Sequence, residues 1–296
     1  MPSQLKPASN PVAPWRRVSN SQKKLPAWAW LSFASNILLL VTVFMLLLRY
    51  ESKLAEITIK AEPVPTKAST PKPPSPSPEL GPRHKWTYEQ WVAQLRREAD
   101  AAAEKKPEKL TVLAGDSISL WFPTNMLPPG RYWLNQGISG ETTEGLLKRL
   151  PLFDRTQPDA IFVMIGINDL IRGIADETII NNLRAIIQDL QTVHSNAHIV
   201  IQSILPHSGA KSTWEGRKRL LQIPNQRIRS LNEQIAALAI EEGVKFLDLY
   251  PLFADSQGNL RLDLTTDGLH LSERGYLVWR SALQLFDNLE LSQPPV

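Results

Sequence analysis

The sequence predicts an α/β domain with a parallel central sheet covered by helices on both faces. That domain stands behind an apolar segment and a proline-rich linker. Three observations carry this expectation. Apolar runs of four to six residues alternate with amphipathic helical patterns from about residue 84 onward. Such alternation marks a sheet buried on both sides. Leu25–Leu48 contains no charged residue, and Glu62–Arg83 is dominated by Pro, Ser and Thr.

The chain begins with a basic tail over residues 1–24. Its charges are Lys6, Arg16, Arg17, Lys23 and Lys24, with no acid. The net charge of the whole chain is +4, so with +5 in this tail the remainder carries −1. The basic balance belongs to the tail, and neither zinc-finger spacing nor a long basic helix occurs; a nucleic-acid partner is not expected. Cysteine is absent. That excludes a disulfide scaffold, a thiol nucleophile and Cys-ligated zinc.

Residues 25–50 read as a transmembrane signal anchor. As a helix, Leu25–Leu48 would run roughly 36 Å, enough for a hydrocarbon core of about 30 Å. Trp28, Trp30 and Tyr50 stand near its ends, where amphipathic rings favour the membrane interface. A cleaved signal peptide fits less well, because the apolar run is long and no small-residue cleavage site follows it. Flanking bases put the N-terminus in the cytoplasm and the remainder outside, in a periplasm or equivalent compartment. Residues 51–83 form a juxtamembrane stretch and a Pro-rich spacer, whose polyproline reach is up to ~3.1 Å per residue.

Residues 84–290 read as the folded domain, with 291–296 as a short tail. Thr87-x-x-Gln90 is a capping box that opens a helix to about Lys105. Strands are expected at Leu110–Ala114, Tyr132–Asn135, Ala160–Ile165, His198–Ser203 and Val244–Leu249. Ile179, Leu183, Ile186, Ile187, Leu190 and Val193 mark one amphipathic helix. Ile228, Leu231, Ile235 and Leu238 mark another, ending at Gly243.

In such folds, sites form beyond the carboxyl ends of the strands. Four short stretches fall near the ends of runs: Gly115-Asp116-Ser117-Ile118, Asn135-Gln136-Gly137-Ile138-Ser139-Gly140, Gly166-Ile167-Asn168-Asp169, and Asp267-Gly268-Leu269-His270. Each alone is an ordinary cap or turn. Together they supply a complete acyl-transfer set. Ser117 offers a hydroxyl and His270 can take its proton. Asp267, three residues earlier, can hold the other ring nitrogen. The Ser117 N–H, the Gly137 N–H and the Asn168 amide are the candidate donors to an oxyanion.

These four blocks resemble the SGNH hydrolase superfamily, also called GDSL lipases and esterases. The four name-giving residues correspond to Ser117, Gly137, Asn168 and His270, with Asp267 in the Asp-x-x-His block. The resemblance runs from about Lys109 to Leu285 and extends into "IGINDL" and "DGLHLSERGY". It implies a flavodoxin-like three-layer α/β/α sandwich and ester or thioester hydrolysis without a metal or cofactor.

Other residues are read more plainly. Asp116 and Asp169 are expected to organise loops by accepting backbone N–H groups. Ser139 is expected in a turn, and Trp121 and Phe122 in packing. His207 follows the "QSILP" strand end and is a candidate substrate contact. Trp214, in the irregular "GAKSTWEGRKRLL" stretch at 209–221, is a second. His194 and His198 are expected at the surface, and His84 has no evident role. No metal-ligand spacing occurs.

The function expected is therefore that of a membrane-tethered serine esterase facing outward, acting on a small-molecule, glycan or lipid ester. Transfer or removal of acetyl groups on an envelope polysaccharide is a rival, as is lysophospholipase or thioesterase activity. An inactive glycan- or lipid-binding module is the non-enzymatic rival.

Overall fold

The computed structural model describes residues 86–291 together with Met45. The expectations for the basic tail, for the linker, for His84 and for residues 292–296 lie outside the described residues. So does the membrane segment, apart from Met45. Among the described residues no helix is long and apolar enough to cross a membrane.

The first helix, α1 (Tyr88–Lys105), forms where the capping box places it. Thr87 Oγ1 accepts the Gln90 N–H, and the Gln90 side chain accepts the Thr87 N–H at 2.8 Å. Trp86 packs edge-on against Trp91 at 4.9 Å between centroids, a hydrophobic staple across the cap. The helix buries Trp91, Leu95, Ala99 and Ala102, spaced by three and four residues, and ends at Lys106 in the left-handed region.

Five strands follow: β1 (Leu110–Gly115), β2 (Tyr132–Gly137), β3 (Ala160–Met164), β4 (His198–Gln202) and β5 (Lys245–Leu247). They pair in parallel in the order β2-β1-β3-β4-β5. This is the flavodoxin-like doubly wound order, whose switch point lies between β1 and β3. The core strands alternate cleanly. Val112, Ala114, Ile161, Val163, Ile199 and Ile201 feed one apolar core, while Leu113, Phe162, Met164 and Val200 feed the other. The first core is closed by α1, α3 (Thr143–Arg149), α5 (Asp176–Val193) and α7 (Asn225–Glu241). The second is closed by α8 (Tyr250–Phe253) and α9 (Glu273–Phe286), through Phe253, Tyr276 and Trp279. Phe122 joins it, packed against Tyr276 and Trp279, as expected of a packing residue.

Two boundaries differ from expectation by two residues. Strand β2 runs on to Gly137, because Gly115 pairs with Gly137 at the end of the β1 ladder. Strand β5 stops at Leu247 instead of Leu249. There Ser203 Oγ accepts the N–H groups of Leu249 and Tyr250, and Asp248 caps Tyr250, so the chain turns into α8. His194 also differs: it is buried, stacked on Phe153 at 5.6 Å. The aromatic face found a partner that spacing along the chain could not show.

Candidate active site

Strand β1 delivers Ser117 to the switch point. Asp116, not Ser117, caps the short helix α2 (Ser117–Leu120): its Oδ1 accepts the Ile118 N–H at 2.9 Å. The division of labour matters. Because the carboxylate satisfies the helix start, the Ser117 hydroxyl is left for other chemistry, and as the first helical residue its N–H has no intrahelical acceptor. Tyr276 Oη donates to the Ile118 carbonyl at 3.0 Å and fixes α2 from below.

The second block sits on the loop before α9. Ser117 Oγ lies 3.1 Å from His270 Nε2. His270 Nδ1 lies 2.8 Å from Asp267 Oδ2, and the other Asp267 oxygen accepts the N–H groups of Leu269 and His270. An ionised carboxylate can only accept, so Nδ1 carries the proton and Nε2 presents its lone pair to Ser117. Burial would raise the Asp267 carboxyl. The bonds from the His270 ring and from the two backbone N–H groups outweigh it and hold the group below its usual range.

The 209–221 stretch, which ends in the short helix α6 (Arg217–Leu220), cradles this loop. The N–H groups of Thr213 and Trp214 and the Ser212 hydroxyl all point to the Asp267 carbonyl, and Ser208 N–H bonds the Gly268 carbonyl. Gly268 is required here: its φ is +90°, and a Cβ would lie 2.6 Å from Ser212 Cα. Trp214 is half-buried, its ring against Gly216 and beneath the Arg219 guanidinium at 5.8 Å.

His207 is a correction. It is 3% exposed, its Nε2 donates to the Ile223 carbonyl at 2.7 Å and its Nδ1 accepts the Gly209 N–H at 3.0 Å. Both ring nitrogens are bonded within the fold, so it ties the 207–225 region together and leaves no ring nitrogen for a substrate. Burial pushes its pKa down, which keeps the ring neutral.

Asn168 follows β3 at the start of α4 (Ile167–Ile171). Its Nδ2 approaches Asp116 Oδ2 at 3.4 Å, which ties the third block to the first. Asp116 is fully buried, and burial pushes its carboxyl up to about 7 against the pull of the Ile118 N–H. Asp169 organises the neighbouring loop, accepting the Thr143 N–H at 2.9 Å and the Thr143 hydroxyl.

Gly137 is placed differently from its expected role. Its N–H donates to Asn135 Oδ1 at 2.9 Å. The residue must be glycine for packing: a Cβ would lie 2.5 Å from Leu120 N. Three residues on, Gly140 has a φ of +75°, and among the described residues its N–H donates to nothing. The block carries two glycines, and only the folded position of the Asn135 side chain tells which has a free N–H. Sequence reasoning also passed over the buried pair of Arg149 and Glu141, 2.7 Å apart, and Arg172, which donates to the Gly140 carbonyl. Among the described residues no group of three or more His, Asp or Glu could hold a metal ion.

Fold and site together define a class: a doubly wound α/β protein with a serine hydroxyl on an imidazole beside its switch point. A family model narrows it. Residues 121–278 match the GDSL-like lipase/acylhydrolase family, and the chain belongs to it. The matched stretch includes Asn168, Asp267 and His270 and begins just after Ser117. The chain is 29% identical over 199 residues to platelet-activating factor acetylhydrolase IB subunit alpha1 of Bos taurus, covering 63% of this chain and 77% of that one. It is also 28% identical over 153 residues to an N-acylneuraminate cytidylyltransferase of Streptococcus agalactiae, covering 51% of this chain but 34% of that protein. A GDSL-like lipase structure from Bacteroides thetaiotaomicron superposes with a TM-score of 0.55 at 20% identity, covering 66% of this chain and 97% of that one. That likeness is one of fold.

Proposed function

We propose that this member of the family is a serine ester hydrolase working through Ser117, His270 and Asp267. The observation that carries the reading is the unbroken hydrogen-bond chain from Ser117 Oγ through His270 to Asp267, at 3.1 and 2.8 Å. Ser117 Oγ attacks the acyl carbonyl carbon while its proton passes to His270 Nε2. The imidazolium that forms is stabilised by the Asp267 carboxylate. Negative charge on the carbonyl oxygen is met by the Ser117 N–H, the Asn168 amide and the Gly140 N–H. Gly140 takes the role that the sequence suggested for Gly137, whose N–H is already spent on Asn135. Collapse of the intermediate breaks the bond to the leaving oxygen, which receives the proton from Nε2. Water then repeats the sequence: His270 takes a proton from it, the acyl group leaves as the acid, and Ser117 regains its hydrogen. None of these steps draws on a metal or a cofactor.

A short acyl group is favoured by the name of the bovine relative, an acetylhydrolase. The same reading tethers the domain to a membrane through Leu25–Leu48 and places it on the outer side. Its support is the uncharged length of that segment and the five bases before it. The test is hydrolysis of nitrophenyl acetate and longer esters by the full-length protein beside Ser117→Ala. Activity should fall by ~10⁴-fold or more. A Ser117→Ala protein as active as the parent ends this reading.

A further inference from the structure

We propose that Arg172 is a positioning residue that holds the Gly140 turn in the orientation needed to stabilise the oxyanion. The proposal rests on the reading of Gly140 as a donor. Residues 138–141 form a turn closed by the Glu141 N–H to the Ile138 carbonyl at 3.2 Å, with Gly140 at its third position. A positive φ there is the mark of a type II turn. Rotating the central peptide converts it to type I and turns the Gly140 N–H to the opposite side. Glycine tolerates both forms, so the turn by itself does not choose between them.

Contacts from outside fix the next peptide, Gly140–Glu141, and so set where the Gly140 N–H sits relative to Ser117 and Asn168. Arg172 Nη2 donates to the Gly140 carbonyl at 2.6 Å. Arg172 lies at the end of α4, four residues after Asn168, so both proposed donors are fixed to the same short helix. The loop is pinned again where Thr143 meets Asp169. On the far side Arg149 bonds Glu141 at 2.7 Å through Nε and the Gly115 carbonyl at 3.0 Å through Nη2. The Gly140–Glu141 segment is therefore held between two arginines. One belongs to the Asn168 helix, and the other is tied to the strand that leads into Ser117. Arg149 is buried and its loss would loosen the fold. Arg172 is exposed and its side chain serves the turn alone among the hydrogen bonds of the described residues, so it can be changed cleanly.

The experiment is steady-state kinetics of full-length Arg172→Met, Arg172→Lys and Gly140→Ala on nitrophenyl acetate, with thermal melts of each. Arg172→Met should lower kcat by about tenfold, part of the ~10²–10³-fold that follows loss of a whole oxyanion donor. KM should stay unchanged and Tm should move by no more than ~2 °C. Arg172→Lys should recover part of kcat, because an ammonium can still reach the carbonyl. Gly140→Ala should lose more than either, since alanine resists a φ of +75°. An unchanged kcat in Arg172→Met while Gly140→Ala is impaired would overturn the role of Arg172 alone. A raised KM at constant kcat would also overturn it, because Arg172 would then be a substrate contact. Failure of the underlying reading looks different: Gly140→Ala would keep full kcat.

Discussion

Replacing Asp116 with asparagine tests how the site manages a buried charge beside its nucleophile. The carboxyl is 1% exposed. Burial raises it from the usual 3.8 to about 7; the Ile118 N–H and the nearby His270 oppose the rise, while Asp169 and Glu141 add to it. A rise of that size corresponds to ~4 kcal/mol. The sign follows from linkage. The folded protein keeps this proton up to about pH 7 and the unfolded chain sheds it near 3.8. Between those values the folded state binds more protons, so this group's contribution to stability declines as pH rises, and it levels off above about pH 7. Asp267 works the other way, since its depressed carboxyl contributes stability that is lost as pH falls below the usual value. The readout is therefore the difference between variant and parent. In Asp116→Asn the side-chain amide oxygen can still accept the Ile118 N–H, so the cap survives. Denaturant unfolding followed by tryptophan fluorescence from about pH 4 to 8 should show the variant gaining on the parent by up to ~4 kcal/mol as pH rises. A difference that stays flat across this range would refute the account of Asp116.

Three further outcomes separate structural from catalytic roles. Arg149→Met leaves Glu141 buried without its partner and should cost about 3–5 kcal/mol in denaturant unfolding. His207→Ala removes two buried hydrogen bonds and should lower stability by roughly 2–4 kcal/mol, while KM for any ester the folded protein hydrolyses stays constant. Gly137→Ala forces a Cβ to within 2.5 Å of Leu120 N and should destabilise by about 1–3 kcal/mol, read as a drop in melting temperature.

The strands and long helices were legible because each is set by a local rule. Apolar runs bounded by turn residues marked all five strands within a few residues, and the capping box at Thr87 fixed α1. The order of blocks also announced which side chains would meet, and Ser117, His270 and Asp267 do lie in one chain of hydrogen bonds. What stayed hidden depends on the exact local backbone path or on distant partners. Asp116 rather than Ser117 caps α2, because the backbone stays extended at Asp116 and turns helical only at Ser117, which puts the Ile118 N–H at the N2 position that a cap side chain reaches. His207 looks like a pocket residue until the Ile223 carbonyl, 16 positions away, is found on its ring. Gly137 and Gly140 are alike in sequence, and only the fold of Asn135 distinguishes them. Arg172 gives no local sign of its role, because its partner, the Gly140 carbonyl, comes from another loop.

The central claim is that Ser117 is the activated nucleophile. A fluorophosphonate incubated with the full-length protein, followed by peptide mass spectrometry, tests it most directly. A single adduct is expected on Ser117, formed much more slowly when His270 is replaced by alanine. An adduct on a different serine, or none on a protein that hydrolyses esters, would contradict it.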